Sequence, residues 1–176
     1  MTYTVRQVVL AGLVGALGLG FPLALHAVGA GQIGAMLLPM FLPLVAGAFF
    51  LPATLAMLAG AATPLLSGLL TGMPPLAPPI AFLMMAELVA VTGIIAALRR
   101  LTGLSVWVIL AIAALADRAI LALLAVGLAP AFGLPQAMVT WGSLVIGLPG
   151  IAVQFVVIPP LVARLASYGE GRRAGR

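Results

Sequence analysis

Cysteine and lysine are both absent from this chain, acidic residues number three and histidine occurs once. Without cysteine there are no disulfides, no thiol nucleophile and no thiolate metal site. One histidine and three scattered carboxylates do not form a metal-ligand set, so no metal and no cofactor is expected. Charge of either sign is scarce: 6% of the 176 residues are charged and 64% are apolar, with a mean hydropathy of +1.32. Soluble domains carry about a quarter charged residues, because their surface has to be clothed against water. Here lipid must be the solvent for much of the outer surface. Catalytic signatures are missing too. There is no GxxxxGK[ST] phosphate loop, so the chain is not expected to use ATP alone. There is no HExxH, no GxSxG and no carboxylate pair beside a histidine. The chain is therefore not expected to be an enzyme, and binding or transport is what remains.

What is present is a succession of long apolar runs, which predicts an all-α, polytopic membrane protein. The first helix is expected over about Val5–Leu25, with Pro22 and His26 standing where a signal peptide would carry small residues, so it is read as retained. A Gly-rich loop, 26–34, follows. A second helix over Ala35–Phe50 contains Pro39 and Pro43 and is expected to be short and kinked. Leu51-Pro52 leads into a third helix ending near Leu70. The segment Thr71–Pro79 carries two Pro-Pro pairs, which remove backbone donors and favour extended backbone before them. A fourth helix is expected over Ile80–Leu98, a fifth over Leu104–Leu128 and a sixth over Ala137–Ala166, bent near Pro149-Gly150. Residues 1–166 thus form a single six-helix bundle, and 167–176 read as a short polar, disordered tail.

Charge placement agrees with six spans. Both termini then share one side with Arg6, Arg99, Arg100, Arg164, Arg172, Arg173 and Arg176, while loops 26–34, 71–79 and 129–136 carry no charge. The positive-inside rule makes the arginine side, with both termini, cytoplasmic.

Three charged residues remain within the bilayer: Glu87 on the fourth helix, and Asp117 and Arg118 on the fifth. By helical rise Glu87 lies about 11 Å and Arg118 about 15 Å below the outer ends of their helices, so their depths are comparable. A charge at mid-bilayer costs at least about 2.5–3.5 kcal/mol and therefore faces the bundle interior or a wet cavity. Two arrangements satisfy this: a structural pair, Glu87 with Arg118 or Asp117 with Arg118, or a site in which these groups meet a solute. His26 and Gln32 in the first outer loop, Met73, Trp141 and Gln154 complete the candidate substrate-binding set. For each there is a plainer role as interfacial, packing or helix-linking residue. On the first helix, Ala11, Gly12, Gly15 and Ala16 form small-xxx-small pairs, serving either internal packing or a partner subunit.

The stretches Leu38-Pro-Met-Phe-Leu-Pro-Leu-Val-Ala-Gly47, Thr63-Pro-Leu-Leu-Ser-Gly-Leu-Leu-Thr-Gly-Met-Pro-Pro75 and Met84-Met-Ala-Glu-Leu88, with Leu25-His-Ala-Val-Gly29 upstream, resemble the substrate-binding S components of energy-coupling factor (ECF) vitamin transporters. The likeness covers about the first half of the chain. TGMPP and the following Met/Glu-Leu helix are its most specific part. Phe41 departs from it, since a histidine commonly follows LPM in that family. The resemblance implies six helices with cytoplasmic termini in a bacterial-type plasma membrane. It also implies high-affinity capture of a water-soluble vitamin or precursor, such as a cobalamin-related compound or pantothenate, under the outer loops. The partners implied are a transmembrane coupling subunit, met by Ala11, Gly12, Gly15 and Ala16, and two ABC-type ATPases. The alternative, a self-contained secondary transporter or channel, would call for discontinuous helices in both halves, and the segment read as broken by Pro-Pro pairs, Thr71–Pro79, lies in the first.

Overall fold

The structure is a computed structural model and describes residues 2–30, 36–77, 79–127 and 145–174. Among these it is all-helical: α1 Val5–Ala27, α2 Phe41–Ala48, α3 Ala53–Thr71, α4 Ile80–Leu101, α5 Val106–Gly127 and α6 Leu148–Ala174. Five of the six, all but α2, are long and apolar enough to cross a membrane. Thr4 caps α1 reciprocally with Gln7: Gln7 N–H donates to Thr4 Oγ1 and Thr4 N–H to Gln7 Oε1, at 3.3 and 3.0 Å. Two free donors at the helix start are satisfied that way. Gly72, at φ 73, closes α3 in the left-handed conformation that glycine adopts without Cβ strain. Helix α6 passes through Pro159-Pro160 and continues to Ala174, so it includes most of the polar segment read from the sequence as a tail.

The main departure from expectation is the second span. Its helix is the eight-residue α2, about 12 Å long and too short to cross about 30 Å of hydrocarbon. Leu38, at φ 48, breaks regular backbone just upstream. Pro43 falls in the first turn, where an amide has no intrahelical partner anyway. Pro52 then biases Leu51 away from helix. Nearly every residue of α2 is buried, and α1, α3, α4 and α6 all touch it. A helix apolar all round belongs in the interior, and α2 is the axis of this bundle.

Close backbone approach is what surrounds α2 and couples the long helices. A Cβ on Gly47 would stand 2.6 Å from Val14 Cγ2, and one on Gly60 would stand 2.9 Å from the Leu88 carbonyl oxygen. The extensive α3–α4 contact follows from that small residue, in the manner of lipid-embedded helices. Buried hydroxyls are satisfied along their own helices, Thr63 donating to Ala59 O (2.7 Å) and Thr92 to Leu88 O (2.6 Å). By contrast α1 buries only Val14 and Gly18 and lies on the outside.

The elements alternate in direction. One end of the bundle holds a cavity, reached by Pro22 and His26 late in α1, Ser67 late in α3, Ile80 and Met84 early in α4, Arg118 and Leu121 late in α5, and Gly147 just before α6. Since α1 and α3 both finish there, residues 38–52 carry the chain back to the opposite end between them. Arg6, Arg99, Arg100 and Arg164 consequently lie toward the end away from the cavity.

Candidate binding site

The cavity has a volume of about 800 Å³, within the range of small-molecule sites. Proline and glycine chemistry builds its rim. After α3 the chain folds back: Ser67 Oγ donates to Met73 O (2.6 Å), Thr71 Oγ1 accepts from Met73 N–H (3.1 Å) and donates to Ser67 O (2.8 Å). A Cβ on Gly68 would lie 2.8 Å from Pro74 O, so the TGMPP turn rests directly on α3. These contacts place Met73, Pro74 and Pro75 as one wall. The opposite wall is the strained Leu38 with Pro39, Met40 and Phe41. It is seated against α6, where a Cβ on Gly150 would meet the Leu37 carbonyl at 2.7 Å. Left-handed backbone at a non-glycine residue costs about 1–2 kcal/mol and persists only where surrounding packing holds it.

Polar groups enter from three helices. Glu87 on α4 is 5% exposed, and its Oε1 is buried with no hydrogen-bond partner. Arg118 on α5 turns Nε and Nη2 to Asp117 Oδ2, at 3.1 and 2.6 Å. Of the two pairings the sequence allowed for Arg118, the structure therefore shows the one with its chain neighbour. The guanidinium also packs over Gly147, whose added Cβ would stand 2.9 Å from Nη1. On α1, His26 Nδ1 donates to Pro22 O at 2.9 Å, because a carbonyl can only accept.

Of the candidate site residues, His26, Met73, Glu87 and Arg118 all line this one cavity. Asp117 and Gln154 line instead a small separate hollow between α2, α4, α5 and α6, with Phe41 at the boundary of both. Asp117 Oδ1 is buried there without a hydrogen-bond partner. Gln32 and Trp141 lie outside the described residues. Sequence reasoning did not single out Ser67, Ile80, Leu121, Met40 or Met84 as lining. Depth along each helix was the signal that could have found them, since all fall within two turns of the cavity end. The small residues of α1 divide between two faces. Gly15 stands 3.6 Å by its would-be Cβ from Thr63 Oγ1 and Ala11 packs on the core, whereas Gly12 and Ala16 are exposed and a Cβ on Gly12 would meet nothing within 4 Å.

The chamber is largely apolar with a few fixed polar atoms, and among the described residues no three His, Cys, Asp or Glu side chains cluster. No protein-family model, curated protein or solved structure matches the chain.

Proposed function

We propose that this chain is a membrane-embedded binding subunit for uptake of a small water-soluble solute, of the vitamin-capturing S-component type, energised by a coupling subunit and ATPases on other chains. The observation that carries the reading is the position of the cavity. It holds the buried, unpartnered Glu87 Oε1 and lies at the end of the bundle opposite Arg6, Arg99, Arg100 and Arg164. Under the positive-inside rule that end faces outward, where an uptake system meets its solute. In this reading the buried return through α2 counts as a crossing, giving six with both termini inside. Such a helix is tolerated at membrane depth because protein, not lipid, surrounds it. The exposed Gly12 and Ala16 supply a flat surface on which a coupling helix can approach closely.

The test is uptake into liposomes of the solute released from the purified protein and identified by mass spectrometry. Uptake should require co-reconstitution with coupling subunit and ATPases and should stop in Gly12→Leu or Ala16→Leu, with solute binding retained. Uptake driven by an ion gradient in the chain alone would make it a self-contained transporter and overturn the proposal.

A further inference from the structure

Resting on the binding-subunit reading, we infer that the cavity is built for a monocationic solute: an apolar, ring-sized body carrying an amine-, amidine- or aminoheterocycle-type N–H group that meets Glu87.

Charge balance is the first support. Among the described residues the bilayer-embedded ionisable groups are two carboxylates and one guanidinium. Arg118 is turned to Asp117 through two nitrogens on one oxygen. Glu87 takes no part in that pair, and its Oε1 is a buried atom without a partner. A buried carboxyl is costly to hold charged alone, and a cation arriving from water supplies the partner that offsets this cost.

Hydrogen-bond polarity is the second, independent support. Ser67 uses its hydroxyl hydrogen on Met73 O, leaving lone pairs. His26 uses Nδ1–H on Pro22 O, so in the neutral imidazole Nε2 is an acceptor. Glu87 Oε1 has no donor. Acceptors on α1, α3 and α4 thus face the cavity beside the Arg118 guanidinium, and a solute bearing N–H groups satisfies them. The remaining wall suits the body of such a solute. Phe41 contributes an aromatic side chain to the lining, and Met40, Met73 and Met84 are polarizable thioethers that adapt to flat rings. The rival occupant is an anion held by Arg118, whose Nε and Nη2 already meet Asp117.

The experiment is calorimetric titration of solute-free wild-type protein in detergent, against a micelle blank, with three probes sharing one ring system. These are 2-naphthamidine (cation), 2-naphthamide (neutral) and 2-naphthoate (anion). The amidine should bind at least about tenfold tighter than the amide, and the naphthoate weakest. Glu87→Gln should weaken the amidine about thirtyfold or more while leaving the amide unchanged. Naphthoate binding as tightly as the amidine, or amidine affinity indifferent to Glu87→Gln, overturns the cation inference and leaves the binding-subunit reading standing. Absence of saturable binding by all three probes overturns both. The wild-type ranking decides the matter even if the variant does not fold.

Discussion

The two ends of this bundle are made from nearly the same amino acids and behave differently. Beneath the cavity, Gly47 admits the Val14 side chain and Gly60 the Leu88 carbonyl, and Leu88 and Ile95 are fully buried. At the cavity end the same apolar composition is held apart by turns: Leu38 in left-handed backbone, Gly72 in the same region, and prolines at 39, 74 and 75. Openness here comes from backbone that cannot continue as helix, and closeness from residues too small to keep helices apart. Polarity follows the same division, with Glu87 and Arg118 lining the open end and buried Thr63 and Thr92 satisfied within their own helices.

Substitutions break this contrast in a predictable order. The largest loss is expected from Arg118→Gln. It leaves Asp117 buried without its guanidinium and should lower stability by about 3–5 kcal/mol, with Asp117→Asn added in the same chain restoring much of it. Unfolding in detergent, followed for both singles and the double, checks this; additive losses would mean the pair is not a unit. Next comes Leu88→Ala in the closed end, expected to cost about 2–5 kcal/mol because the packed helices cannot collapse into the space. Gly60→Ala should cost about 1–3 kcal/mol, since the methyl meets the Leu88 carbonyl, which is backbone and cannot rotate aside. Smallest is Met84→Ala at the open end, under about 1 kcal/mol in stability, because it enlarges a chamber that already exists. Equal costs for Leu88→Ala and Met84→Ala would erase the distinction between the ends.

Much of the fold was legible in the sequence because a span facing lipid has to satisfy its backbone internally, so long apolar runs translate directly into α1, α3, α4, α5 and α6. The limits of α2 were not. Its run looks like any other span, and only tertiary cover on all sides permits so short a helix. Pro159-Pro160 sits inside α6, which continues past both prolines. At the site, Glu87 and Arg118 were visible as charges in a hydrophobic stretch. Which of the two pairings open to Arg118 forms was not, since neighbouring residues seldom face each other on a helix, yet Arg118 reaches Asp117. Methionines that line a cavity and methionines that face lipid read alike in sequence. What separates Met84 from Met57 is position relative to the TGMPP turn, a property of the folded chain.

The central claim is that the open end captures one small solute, and native mass spectrometry of the purified chain beside Met84→Trp tests it most directly. The indole fills space between the Met73–Pro75 wall and Glu87 without entering the closed end. Wild type should retain a single non-lipid molecule per chain, and Met84→Trp should lose it while unfolding at nearly the same temperature. A wild-type chain that carries only phospholipid, or equal occupancy in both proteins, would contradict the account.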